Sequence, residues 1–376
     1  MDLDDNPAAP LSDSGNCLKL VLRRPNRSFL TETPVTRPHL SEIAASAWLE
    51  TCLRKGKTDV QLADLEFKVC CRKASEGFII ELEVERPGAA KVRVPLHCSP
   101  LAELARQTAD RMVADGLLLA GEVYTYAYEI GEPIIGGFES DSDSLCIDRP
   151  FRFRVPMTQL HFVRIPLSQL LSAAKAVGTI NGEFPVFFSA GALVKTERFA
   201  RRGDTLEKPV ECGAALIGSL MSCPDSGELG VIITDALEVE AEKQTVASLS
   251  YSGHTFTAIQ NILRARRKAR PELGEQWTGQ AHSHPFPPGT CVECEKRPTC
   301  SLTSAFLSTD DELWHRSVFA RQPWAVCQIY GLNARNESVN ELYSSQGGVL
   351  RPRGYFALPE SESVENLIAT TNLATT

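Results

Sequence analysis

Gln280-Ala281-His282-Ser283-His284-Pro285 is the stretch on which the reading of this chain turns. Residues 277–284 read as a strand, and side chains on a strand alternate with period two, so His282 and His284 share a face. Both imidazoles can then reach one metal ion. Such a site needs a third ligand and a general base. Upstream, Val210-Glu211-Cys212-Gly213-Ala214-Ala215-Leu216-Ile217-Gly218 offers Glu211. Downstream, Ala305-Phe306-Leu307-Ser308-Thr309-Asp310-Asp311 offers carboxylates.

Bulk properties frame what such a site belongs to. A chain of 376 residues is long enough for two domains. Hydrophobic residues at 43% and charged residues at 23% give an ordinary globular composition. A net charge of −8 argues against nucleic acid as the main partner, because phosphate binding wants a basic field. Met1-Asp2-Leu3-Asp4-Asp5 is acidic and no apolar h-region follows, so no secretory leader is expected. With no apolar run long enough to span a bilayer, the expectation is a cytoplasmic protein with no membrane partner.

Glu, then His-x-His-Pro, then Ser-x-x-Asp is the order of the JAB1/MPN/Mov34 (JAMM) zinc metalloprotease signature. Over residues 184–358 the chain resembles that family, and its prokaryotic JAB deubiquitinase-like members in particular. The resemblance implies an α/β fold there, a sandwich around a curved mixed sheet; periodicity alone gives only strands interleaved with helices. It also implies a catalytic Zn2+ held by His282, His284 and Asp311, a donor set that suits tetrahedral zinc with one position kept for water. Glu211 matches the family's outer-sphere glutamate, which takes a proton from the attacking water and delivers it to the leaving amine. Ser308 matches the serine that hydrogen-bonds the developing oxyanion.

Each residue has competitors. The spacing Ser308-x-x-Asp311 puts both side chains on one face at the start of a helix and selects Asp311. Asp310 and Glu312 then read as first-turn acids that suit the helix dipole. Ser308 is equally a good N-cap. Glu207 lacks the glycines that stand two and seven residues after Glu211, and reads as surface charge. Other zinc chemistries fit less well: a deaminase needs H-x-E with P-C-x-x-C, and H-E-x-x-H is absent.

The spacer departs from the family pattern. Residues 286–307 separate Pro285 from Ser308, longer than the resemblance leads one to expect, and the extra length carries Cys291, Cys294 and Cys300. In a reducing compartment a C-x2-C-x5-C cluster is expected to bind metal rather than form disulfides. A second, structural zinc on these three thiolates would clip the loop, with His315 and Cys327 as candidates for the fourth ligand. The remaining cysteines are scattered and read as small buried hydrophobes.

The rest of the chain divides by pattern. Residues 1–38 are rich in Pro, Asn, Asp and Ser and read as a flexible arm. Residues 39–150 read as an α+β domain: a helix from Ser41, strands near 65–70, 78–84 and 91–96, a helix over 100–115 and a strand over 123–128. This domain is a candidate recruiter of partner or substrate. Residues 151–183 read as a connector, and 359–376 as a flexible tail. Arg264 to Arg270, with five basic residues, reads as a solvated helix end.

The resemblance implies hydrolysis of a peptide or isopeptide bond following the C-terminal tail of a ubiquitin-like protein, as deconjugation or precursor processing. The partners implied are a ubiquitin-like protein or its conjugates, and E1/E2-like proteins. Two alternatives stand beside this: the same site processing a sulfur-carrier protein or other peptide, or a non-catalytic MPN scaffold.

Overall fold

Leu18, Leu20 and Leu22 alternate with Lys19 and Val21, and all three leucines are buried. In the computed structural model they lie on strand β1 (Leu18–Arg23), paired antiparallel with β2 (Phe29–Pro34). The turn between them takes Arg27 through φ 67°. The expectation of a flexible arm over 1–38 is therefore corrected: its second half is sheet, because one short apolar alternation sits inside a polar composition. The structure describes residues 18–54, 65–74, 77–85, 91–130, 144–146, 151–153, 160–180, 184–245, 248–288, 300–320 and 322–360. The first half of the arm and all but the start of the expected tail lie outside them.

The chain folds as two units: residues 1–49, 61–157 and 347–349, and residues 50–60, 158–346 and 350–376. Helix α1 (Arg37–Arg54) starts before the expected N-cap, so Ser41 is inside it. Next come β3 (Leu65–Ala74), β4 (Gly77–Glu85), β5 (Val92–Pro95), α2 (Ala102–Ala114) and β6 (Thr125–Ile130). Strands β7 (Ser144–Cys146) and β8 (Phe151–Phe153) complete the unit. One sheet runs β2-β1-β6, and a second runs β5-β4-β3-β7 with β8 also on β3. Phe67, Val69, Leu82 and Val84 are buried from the facing strands β3 and β4.

The second unit opens within the expected connector. Strand β9 (Phe162–Arg164), helix α3 (Leu167–Ala173) and strand β10 (Lys175–Val177) precede β11 (Val186–Phe188) and α4 (Ala190–Ala200). Then follow β12 (Gly213–Ser222), β13 (Leu229–Glu238), β14 (Ala241–Thr245), β15 (Ser248–Tyr251) and α5 (Gly253–Ala269). The unit ends with β16 (Gln276–Ser283), α6 (Thr309–Phe319), β17 (Val326–Leu332), β18 (Ser338–Gln346), β19 (Val349–Arg353) and β20 (Tyr355–Ala357).

Apart from β14 and β15, which pair only with each other, these strands form one mixed sheet, ordered β10-β20-β11-β13-β12-β16-β17-β18-β19, with β9 also on β12. This is an α/β fold, as expected. All ten residues of β12 are buried, the mark of a central strand covered on both faces. β16 pairs with its first half, through Gly213↔His282 to Gly218↔Gln276, and β9 pairs parallel with Leu220–Ser222 beyond. So residues 151–183 are not a separate connector: β8 belongs to the first unit, while β9 and β10 are sheet strands of the second. Three residues are too few to show a period, and only distant partners make them strands. Strands β18 and β19 join in a hairpin at Gly347-Gly348, both glycines at positive φ (62° and 82°), as a two-residue type I′ turn requires.

Helices α5 and α6 pack on one face of this sheet. Ile259 and Leu263 of α5 and Phe319 of α6 meet Ala215, Ile217 and Trp277. Trp277 and Phe319 lie edge to face at 5.2 Å, a geometry worth about 1 kcal/mol beyond its buried area. The basic end of α5 is only partly solvated, against expectation. Arg266 reaches Asp235 at 2.5 Å and the buried Glu275 at 3.5 Å, and Arg270 reaches Glu275 at 3.6 Å. Buried carboxylates need such partners. Among the described residues, no helix is long and apolar enough to cross a membrane.

Candidate metal centre

Strand β16 delivers the two histidines. His282 lies within it, hydrogen-bonded into the sheet between β12 and β17, and pairs with Gly213 and Ile329. The chain stays extended one residue further, because Ser283 N donates to Cys212 O at 3.1 Å and His284 N to Tyr330 O at 2.7 Å. Period-two alternation then sets both imidazoles on one face, their ring centroids 5.1 Å apart. Both residues are buried.

Asp311 arrives from α6. Ser308 is the N-cap of this helix: its Oγ accepts from Asp311 N at 3.1 Å, while Asp311 Oδ2 accepts from Ser308 N at 2.9 Å. This reciprocal capping box fixes the carboxylate. Its Oδ1 stands 3.1 Å from His282 Nε2 and its Oδ2 3.4 Å from His284 Nε2. The Ser308 hydroxyl also donates to Asp311 Oδ2 at 2.6 Å. Asp310 and Glu312 lie in the first turn as expected, and Glu312 pairs with Arg316 one turn on, at 2.6 Å.

Glu211 precedes β12 and is tied to the β14–β15 hairpin by its backbone N–H, which donates to Thr245 O at 2.8 Å. Its carboxylate is buried with Oε1 3.7 Å from His284 Nε2. The five residues singled out by spacing, Glu211, His282, His284, Ser308 and Asp311, are thus gathered at one place.

Three observations show that the donors suit a metal ion. The ligand atoms of His282, His284 and Asp311 all lie within 4.8 Å of one another, the one such grouping among the described residues. His284 Nδ1 lies 2.7 Å from the Ser304 carbonyl oxygen, which can only accept; Nδ1 therefore carries the proton, leaving the Nε2 lone pair facing Asp311. His282 Nε2 is fully buried and makes no hydrogen bond, although Asp311 Oδ1 is 3.1 Å away. A buried nitrogen without a hydrogen bond beside a carboxylate suits two ligands of a shared centre.

The electrostatics are those of a buried, tightly coupled group. Burial opposes charge on His282, but the Asp311 carboxylate outweighs it and holds the imidazole pKa well above its usual value. Burial opposes ionisation of Asp311 too, yet the charge of His282 beside it, with the close approach of both imidazoles and the hydrogen bond from Ser308, holds it far below the usual carboxylate range. Burial pushes the Glu211 carboxyl up to about 8, with His282 opposing and Asp311 adding to the rise.

The sign of the pH effect on metal uptake follows. In the metal-free protein His282 keeps its proton above its ordinary pKa, and a metal must displace that proton. Metal affinity should therefore rise by about tenfold per pH unit, for one proton released, until the raised His282 pKa is passed. Chelator competition between pH 6 and 8 measures this slope; a flat profile would show that His282 is not a ligand.

Ser308→Ala separates the two readings of that residue. Loss of the cap should cost about 1 kcal/mol in urea unfolding. A role for the hydroxyl in catalysis would add a fall in kcat of about 10²–10³-fold at unchanged metal content. A stability loss with normal turnover would leave Ser308 as a cap alone.

The proposed structural zinc stands differently. Cys291 and Cys294 lie outside the described residues. Cys300 is half-buried with a free thiol. Both candidates for a fourth ligand are interior residues. His315 is buried one helical turn beyond Asp311, and Cys327 is fully buried on β17. Sequence distance carried no sign of this.

Several neighbours of the site have no signature in the sequence. Phe286 stacks on His284 at 5.4 Å, and the exposed Phe306 lies 5.2 Å from the same ring. At Gly279, φ is 155° and a Cβ would overlap the Val326 carbonyl oxygen of β17, so the two strands meet there only because the residue is glycine. The one available signal for Gly279 is a glycine inside a strand, which marks a bulge or a close backbone approach. No protein-family model matches the chain, and no curated protein matches it.

Proposed function

We propose that this protein is a zinc-dependent peptidase resembling the JAMM family, which hydrolyses a peptide or isopeptide bond following the C-terminal tail of a ubiquitin-like protein. The observation that carries this reading is a His-His-Asp ligand set, its histidines buried, with a fourth side chain, Glu211, placed beside it and not needed to complete it. In the metal-free protein burial pushes this carboxyl up to about 8, and a bound cation beside it would draw that value down, leaving a carboxylate able to act as general base. A bound zinc ion would polarise the scissile carbonyl and lower the pKa of a coordinated water to about 7.

The residues of the chain then divide the work. His282 and His284 present Nε2, and Asp311 presents its carboxylate from the helix start. The Ser304 carbonyl keeps His284 in the tautomer that leaves Nε2 free. Glu211 accepts the proton of the attacking water and returns it to the leaving amine. Ser308 stands at the same end of α6, where its hydroxyl can reach an oxyanion once it turns from Asp311. Burial around the ligands strengthens each of these interactions by excluding water.

The test is cleavage of a ubiquitin-like protein carrying a C-terminal extension, and of the same protein linked to a lysine side chain. Zinc-loaded protein should cleave at least one, chelation should stop it, and added zinc should restore it. A wild-type protein that takes up no metal, or cleavage that survives chelation, would overturn the proposal.

A further inference from the structure

We propose that Phe306, backed by Phe286, is a specificity residue of this centre: its exposed ring receives the hydrocarbon carried by the leaving amine of the substrate. The inference rests on the peptidase reading above and adds to it the side of the scissile bond on which an apolar group is selected.

Phe306 is held on a fixed backbone. Thr303 bridges to Asn333 just beyond β17, Ser304 N donates to Leu332 O at 2.9 Å, and Leu332 N donates to Ser304 Oγ at 2.8 Å. Ala305 is buried; its N–H donates to Thr303 Oγ1 at 3.0 Å and its carbonyl accepts from Tyr343 Oη at 3.1 Å. The same segment supplies the Ser304 carbonyl, 2.7 Å from His284 Nδ1. The backbone that orients His284 therefore also carries Phe306, whose ring lies 5.2 Å from that imidazole. Phe286 stacks on the imidazole at 5.4 Å and 15°, and meets Phe306 edge to face at 6.5 Å.

A single exposed apolar side chain is ordinary and needs no explanation. Phe306 differs in two ways. Its neighbours Ala305 and Leu307 pack inward with Ile329 and Tyr343, whereas Phe306 is 45% exposed. It also touches a ring that belongs to the ligand set.

The part of a substrate that meets Phe306 follows from Glu211. Glu211 Oε1 is 3.7 Å from His284 Nε2, and both phenylalanines make their contacts with His284. The group that returns a proton to the leaving amine and the two aromatic rings thus share the His284 side of the ligand set. An amine that departs beside Glu211 carries its own carbon chain toward these rings. There each buried methylene strengthens binding by about fourfold, while the rings offer no partner to a carboxylate.

The experiment uses the full chain loaded with Zn2+ and simple hydroxamates as probes, with affinity read by calorimetry and no turnover needed. A hydroxamate holds a metal through its oxygens, and its nitrogen substituent stands where the chain of the leaving amine would be. N-butylacetohydroxamic acid should bind wild type about tenfold tighter than N-methylacetohydroxamic acid, for partial burial of the added methylenes. Phe306→Ser should cut that preference to about threefold or less, and Phe306→Leu, which keeps a hydrocarbon, should retain most of it. Zinc content and thermal unfolding show that each variant keeps the centre. A wild-type comparison stands independently of any variant: lengthening the chain on the carbonyl carbon, from acetohydroxamic to hexanohydroxamic acid, should gain less than lengthening it on nitrogen. A wild-type N-butyl preference below about threefold, a preference that survives Phe306→Ser, or an equal gain on the carbonyl side would each overturn the proposal. These outcomes leave the metal centre and its reaction standing. A wild type that takes up zinc but binds no hydroxamate has no open coordination position, and that result overturns the peptidase reading together with this one.

Discussion

Glu211→Gln should abolish most turnover while making the metal-free protein more stable. The substitution keeps size and removes only the proton-accepting oxygen, so kcat should fall by about 10²–10⁴-fold, the contribution typical of general acid–base catalysis. Zinc content should be unchanged, since Glu211 lies outside the ligand grouping. The stability effect has a definite sign. In the fold the carboxyl titrates at about 8, raised above its ordinary 4.5, so its charged form is disfavoured by folding. It costs nothing below about pH 4.5, and the cost grows as pH rises toward 8. Glu211→Gln removes that cost, so the gain should be near zero at pH 4.5 and about 3 kcal/mol at pH 8. Urea unfolding of the metal-free proteins at the two pH values measures it. A variant that retains turnover would remove Glu211 from the mechanism, and one no more stable than wild type at pH 8 would show that the carboxyl pays nothing for its burial.

Asp311→Ala should have the largest effect on metal binding, because Asp311 serves two structures at once. As a ligand it accounts for a share of a binding energy that reaches about 10–16 kcal/mol for four-ligand zinc sites, so its loss should weaken zinc affinity by about 10²-fold or more. As the third residue of α6 it accepts from Ser308 N and closes the capping box, so the helix start should lose about 1 kcal/mol as well. His282 also loses the anion that holds its proton, and its pKa should fall, because burial alone lowers it. Histidine NMR titration of the metal-free variant reads this directly. Unchanged zinc affinity would exclude Asp311 as a ligand whatever the stability shows.

What was legible in the sequence was the part of the site set by local geometry. The strand period places His282 with His284, and the first turn of a helix places Ser308 with Asp311. Glu211 stood out by spacing, since nothing local ties it to the histidines; the pairing of β12 with β16 does that, through Gly213↔His282. Contacts that depend on register between strands were not legible. Cys327 stands beside Gln280, on the face that carries His282, because β16 and β17 run parallel at one particular offset, and no local pattern encodes an offset. It was accordingly read as a candidate ligand for a distant cysteine cluster. Similarly, β9 and β10 are strands only because β12 and β20 offer them an edge. The strand β1 was hidden for another reason: averaging composition over 38 residues buried the Leu18-Lys19-Leu20-Val21-Leu22 alternation.

Gly279 sits where β16 passes so close to β17 that a side chain would overlap the Val326 carbonyl oxygen. His282 stands three residues further along the same strand, so a bulkier residue at 279 would displace both imidazoles together. Any lineage that keeps this centre in this register is held to glycine at that position. The diagnostic string thereby lengthens from His-x-His-Pro to Gly-x-x-His-x-His-Pro. A string of that length can trace common descent between chains whose overall similarity has been erased.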